Sequence, residues 1–132
     1  MVVVADHEDR ENEGDLILAA EHAAAANLSF MVRHTSGLIC VGMSGERLDE
    51  LEIPLMVGGG DSMGTAFTVS VDYAPATGTG ISAPDRAATI RALVDPAAQT
   101  GDFLRPGHVF PLRAKPGGVL QLPEPTGLAL VS

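Results

Sequence analysis

The chain has 132 residues, 45% hydrophobic and 19% charged, with seventeen Asp and Glu against eight Lys and Arg for a formal charge of −9. That length suits one domain with a real core, the slightly positive mean hydropathy excludes a wholly disordered chain, and the negative field argues against nucleic acid or an anionic membrane as partner. One cysteine, Cys40, excludes an intrachain disulfide and a zinc site built from Cys pairs, and makes a reducing, cytoplasmic compartment the simpler expectation.

In chain order, Met1 leads straight into Val2–Ala5 with no basic residue ahead, so no signal peptide is expected. This β-branched run reads as a buried strand. The polar stretch 6–15 (DHEDRENEGD) follows, and Leu16, Ile17 and Leu18 resume a strand beyond it. Alanines around 21–27, with apolar Leu28, Met31 and Val32, predict a helix ending near Gly37. Residues 38–43 are predicted as a short buried strand holding Cys40, and 46–51 (ERLDEL) as one or two turns of exposed helix. Residues 58–62 read as a loop, and 67–71 (FTVSV) alternate as a strand does.

Ser82 opens the clearest helix, SAPDRAATIRALVD, with a serine cap, Pro84 in the first turn and Asp85 three residues after the cap. Ala88, Ile90, Leu93 and Val94 form its predicted buried side. Short strands are expected at 108–112, 119–120 and 128–131. No apolar run is long enough to span a bilayer. Strands interleaved with helices imply a layered α/β or α+β fold.

The acidic stretch carries the most chemistry. If it is extended, Glu11, Glu13 and Asp15 point to one face, because side chains repeat every two residues. Three carboxylates in one place repel, and a hard divalent cation relieves them. The same crowding favours a retained proton, which prepares a general acid or base. A solvated turn whose charges face water stands beside that reading. An EF-hand loop would place Asp9, Glu11, Glu13 and Gly14 at positions one, three, five and six, but Ala20 stands where the bidentate Glu belongs. On their own, His108 reads as structural or catalytic, Cys40 as a small buried hydrophobe, and Ser82 with Asp85 as helix capping. His7, His22 and His34 are exposed or core histidines without an assigned role.

DHEDRENEGDLILAAE resembles the acidic signature of the 3,4-dihydroxy-2-butanone 4-phosphate synthases. The likeness continues in order through FMVRHTSGLICVGMS, MGTAFTVSVD, TGISAPDRAATIRALVDP and FLRPGHVFPLRAKPGGVL, over residues 2–120. It implies an α+β fold, a layered α/β sandwich of that family's type, as a single domain over 1–132. It further implies a lyase of riboflavin biosynthesis that converts D-ribulose 5-phosphate to 3,4-dihydroxy-2-butanone 4-phosphate and formate with magnesium, manganese being the alternative ion. Carried over residue by residue, the resemblance makes Glu11 the metal ligand and a substrate contact. Glu13 and Asp15 become the groups that handle protons and hydroxyls. Arg10 would bind substrate, His108 would be catalytic, and Cys40 would lie among the catalytic groups beside substrate. Thr79, Asp85 and Arg86 would line or support the substrate site. A cytoplasmic homodimer with active sites at the subunit interface is implied as well, with no nucleic acid or membrane partner.

Two departures qualify the resemblance. The family's helix ahead of the opening strand has no counterpart here. Nor has its Arg-x-Gly-His-Thr-Glu-Ala motif after GGVL, which supplies a second metal-ligating histidine and part of the phosphate site. The chain instead reads GGVLQLPEPTGLALVS, in which Thr126 and Gly127 are poor substitutes for that motif and Glu124 a weak one for a later family glutamate. The expectation is a shortened synthase, the alternative being an inactive homologue that binds metal or sugar phosphate. Some members are fused to GTP cyclohydrolase II, and no such domain is read in these residues.

Overall fold

The computed structural model describes residues 1–5, 8–9, 14–57, 66–76, 78–115 and 128–131. The β-branched run β1 (Val2–Ala5) pairs antiparallel with β2 (Gly14–Ala19), Val2 facing Ile17 and Ala5 facing Gly14. β2 then pairs antiparallel with β6 (Leu128–Val131), which on its other side pairs antiparallel with β3 (Ile39–Met43). β3 runs parallel to β5 (Phe103–Arg113), and β5 pairs antiparallel with the short β4 (Val71–Tyr73). The sheet order is β1-β2-β6-β3-β5-β4.

Three helices are described: α1 (Ala25–His34), α2 (Gly45–Glu50) and α3 (Ala83–Leu93). Each is set by local chemistry. Ser82 Oγ accepts the Asp85 N–H at 3.1 Å, with Pro84 in the first turn of α3. Ser44 does the same for Arg47 at the start of α2, at 3.2 Å. At the end of α1, Thr35 Oγ1 donates back to the Met31 carbonyl at 2.7 Å and accepts the Gly37 N–H at 3.1 Å. The whole is an α+β fold, and no helix among the described residues is long and apolar enough to cross a membrane.

Helices cover one face of the sheet. Leu28 and Met31 of α1, Leu48 of α2, and Ile90 and Leu93 of α3 belong to one buried cluster with Leu18, Ile39, Val41, Met43, Val71 and Val109. Burying each large aliphatic side chain is worth about 2 kcal/mol relative to exposure, so this face holds the domain together. Alternation sends the intervening residues to the other face, where Asp15, Ile17, His108, Phe110 and Leu112 are only partly buried.

Several sequence expectations need correction. Val2–Ala5 is a strand but not a buried one: every residue is exposed, because β1 is the outer edge of the sheet. Residues 67–71 do not form a strand as predicted; Phe67 and Thr68 make isolated bridges to Leu112 and Leu55, and the paired segment begins at Val71. Leu38 is exposed and precedes β3. α2 presents solvent-facing charges but buries Leu48, with Leu51 buried at its end. On α3 the buried side is Ala87, Thr89, Ile90, Ala92 and Leu93 rather than Ala88. The expected loop at 58–62 and strand at 119–120 lie outside the described residues.

Candidate active site

β2 and β3 both run antiparallel to β6, and β3 runs parallel to β5, so β2, β3 and β5 point the same way. Leu16, Val131 and Ile39 fall on one row of the sheet, and Ile17, Leu130, Cys40 and Phe110 on the next. Stepping back two residues from Ile17 and Phe110 reaches Asp15 and His108, on the same face and at the same end of the sheet. The backbones of β2 and β5 stand three strand spacings apart, roughly 14 Å. Asp15, Cys40 and His108 thus share one face and one end of the sheet, spaced to bracket a ligand and not to touch one another.

The His108 corner is the best defined. Between Val71 and Asp72 the β4–β5 register slips: Val71 faces Val109, whereas Asp72 faces Leu104. Residues 105–108 are the surplus, and His108 sits in this bulge, which also contains the cis Arg105–Pro106 bond. Such bulges re-aim a side chain away from the ladder. Gly107 lies directly on the Val71 and Asp72 backbone, where a Cβ would collide, and its N–H donates to Ser70 Oγ at 3.0 Å. Asp72 is 5% exposed. Its Oδ1 accepts the His108 main-chain N–H at 2.8 Å, and the ring Nδ1 lies 3.0 Å from Oδ2 and 3.2 Å from Oδ1.

Asp85 takes a role that capping did not suggest. Its main-chain N–H is capped by Ser82, but its carboxylate turns outward and accepts the N–H groups of Gly78 at 3.2 Å and Gly80 at 3.0 Å. This holds the 78–80 turn against β4. Gly80, at φ +91°, lies so close to the Asp72 carboxylate that any side chain there would strike it. Thr79, between the two glycines, is exposed. Arg86 lies instead between α3 and α1, in a cleft with Ser29, Val32 and Arg33, where its Nη1 reaches the Gly37 carbonyl at 3.5 Å. Its Nε is buried with no hydrogen-bond partner, and desolvation lowers the guanidinium pKa from its ordinary value.

Cys40 is buried on β3, and burial first, then the negative charge of Asp15, pushes its thiol up to about 11. At neutral pH it is a protonated thiol and not a nucleophile. His22 is exposed beside Glu21 at 3.5 Å, and His34 lies against Phe30 with ring centroids 4.5 Å apart and planes tilted by 44°. Arg10, Glu11, Glu13 and His7 lie outside the described residues, and among the described residues no three His, Cys, Asp or Glu side chains converge on a metal position. Gly14, next in sequence after Glu13, opens β2 at the site end of the sheet.

Sequence reasoning missed Asp72, Ser70 and Gly80. For Ser70 and Asp72 the signal was available in FTVSVDY, where polar residues at 68, 70 and 72 alternate with apolar ones along an extended segment.

A family model for 3,4-dihydroxy-2-butanone 4-phosphate synthase matches residues 1–131. The chain belongs to this family. It is 60% identical over 121 residues to the 3,4-dihydroxy-2-butanone 4-phosphate synthase of Agrobacterium fabrum, covering 91% of this chain and 57% of that protein. It is 57% identical over 130 residues to the riboflavin biosynthesis protein RibBA of Rhodococcus jostii, covering 98% of this chain and 31% of that one. A crystal structure of a 3,4-dihydroxy-2-butanone 4-phosphate synthase in complex with two magnesium ions superposes with a TM-score of 0.89 at 47% identity, over 98% of this chain and 68% of that chain. The chain therefore spans little more than half of the Agrobacterium synthase and about a third of the Rhodococcus protein.

Proposed function

We propose that this chain acts as a 3,4-dihydroxy-2-butanone 4-phosphate synthase in riboflavin biosynthesis, converting D-ribulose 5-phosphate to 3,4-dihydroxy-2-butanone 4-phosphate and formate. The observation that carries the reading is the family match over residues 1–131, joined to a site in which Asp15, Cys40 and an anchored His108 share one end and face of the sheet. The reaction enolises, dehydrates, rearranges and shortens a ketose phosphate. Each step moves a proton at carbon or oxygen, which calls for a positioned base and carboxylates.

In this reading His108 exchanges protons with the substrate through its outward ring nitrogen, and Asp15 with Glu13 holds and deprotonates the sugar hydroxyls. The Cys40 thiol lines the floor of the site in its protonated form. Arg10 binds substrate, with Thr79 and Asp85 lining or supporting the pocket, while Arg86 sits in its own cleft between α3 and α1. Glu11 would hold a divalent cation, magnesium with manganese as substitute, which when bound would supply Lewis-acid polarisation of substrate oxygens. Two magnesium ions in the crystal structure of a homologous synthase support a divalent cation in this reading. In this reading residues 1–132 belong to a single domain of the synthase type, acting in the cytoplasm as a homodimer with residues of both chains at each site.

The test is formate release from ribulose 5-phosphate with magnesium, with and without EDTA, beside a Glu11→Gln variant. Formate that requires both the metal and Glu11 is the expected result. Absence of formate from a folded chain supplied with magnesium would overturn the enzyme reading and leave a metal- or sugar-phosphate-binding homologue.

A further inference from the structure

We propose that Asp72 is the positioning residue of this site, fixing the ring and tautomer of His108 so that Nε2 alone faces the substrate. The consequence for turnover rests on the synthase reading above; the Asp72–His108 pairing does not.

One carboxylate holds both parts of His108. It accepts the residue's main-chain N–H at 2.8 Å and contacts ring Nδ1 at 3.0 and 3.2 Å. Main chain and ring are thereby tied to the same group, which fixes the side-chain torsions as well as the backbone. A carboxylate only accepts, so Nδ1 must carry the proton in this pair. The acceptor lone pair of the neutral ring then resides on Nε2, across the ring from the contact. The Asp72 side chain keeps 8% of its surface and that of His108 keeps 39%, so the anchor is sealed while the ring stays open to a ligand.

The anchor itself is walled in. Gly80 presses against the Asp72 carboxylate from the 78–80 turn, and Asp85 holds that turn in place from the first turn of α3. Gly107 packs directly on the Val71 and Asp72 main chain. A side chain at Gly80 would strike the Asp72 carboxylate, and one at Gly107 would strike the main chain that carries it. The arrangement runs in one line from α3 through the turn and Asp72 to the imidazole, and it places a rigid support behind a base that must hold its angle to the substrate.

Asp72→Asn tests this with nearly unchanged shape. Its Oδ1 can still accept the His108 main-chain N–H, but its NH₂ then faces Nδ1 and demands an acceptor there. Histidine labelled with ¹⁵N reports the tautomer by NMR at a pH where the ring is neutral. The expected result is Nδ1–H in the native chain and Nε2–H in the variant. Formate release should fall by about 100-fold or more in kcat, with KM changed only a few-fold, the range general acid–base groups contribute. An Nε2–H tautomer in the native chain overturns the proposal without any variant, even if Asp72→Asn fails to fold. A folded variant that keeps native kcat overturns it as well. If the native chain releases no formate, the synthase reading falls, and the tautomer measurement still decides the Asp72 assignment.

Discussion

Cys40 lies on the face of the sheet that carries the site, yet it is 7% exposed, and its thiol is pushed up to about 11 by burial and by Asp15. The folded state therefore holds this proton more tightly than the unfolded chain, whose thiol titrates near 9.0. Stability from this source is complete below about pH 9 and is lost as pH rises towards about 11, on the order of 3 kcal/mol across the window. Urea midpoints measured from pH 8 to pH 11 should fall more steeply for the native chain than for Cys40→Ala. Parallel curves would refute the assignment. At this scale the sequence exposes residues that stand in dense motifs, such as Asp15 and His108. It hides Asp72, whose meaning depends on a partner thirty-six positions away across a slipped ladder. No local pattern encodes that distance.

α3 is the element read best from sequence, because its start is written in Ser82, Pro84 and Asp85 and none of these needs a tertiary partner to act. Even so, the capping pattern conceals the role of the Asp85 carboxylate, which serves the 78–80 turn. The two residues should separate on mutation. Ser82→Ala should cost about 1 kcal/mol in thermal or urea unfolding and leave formate release near native. Asp85→Ala should lower formate release about tenfold or more at comparable stability, because it frees the glycine turn that backs Asp72. Equal activity in the two variants would remove the turn from the supporting structure. The strands were harder to read. β-branching identifies β1 as a strand but cannot tell an edge from a centre, since both favour the same residues. Alternation at 67–71 likewise marks an extended segment without showing that Phe67 and Thr68 make only isolated bridges and that the ladder begins at Val71.

On the scale of the whole molecule, the sheet order places the strand of highest sequence number near its middle. β6 pairs with β2 through Leu16–Val131 and Ala19–Leu128, and with β3 through Ile39–Val131 and Gly42–Leu128. A proline there loses a ladder hydrogen bond in a strand paired on both sides. Ala129→Pro should therefore cost on the order of 3 kcal/mol or more in urea unfolding. Val3→Pro, on the exposed edge strand, should cost much less. Similar losses from both would mean that β6 is not central. Neither the order nor this central role can be derived from element patterns, because strand identity says nothing of which strands meet.

That position also governs when the site can exist. Among the described residues, β2 reaches β3 only through β6, so Asp15 stands on one side of a seam and Cys40 with His108 on the other. The seam closes through pairs such as Leu18 with Ala129, drawn from opposite ends of the chain, and contacts of that separation form late and slowly. A partly folded chain that holds the Asp72–His108 pair and the helical layer but not this seam would still lack Asp15 at its place across from Cys40 and His108. The appearance of activity during refolding would thus mark the final closure of the sheet, and helix formation alone would not reveal it.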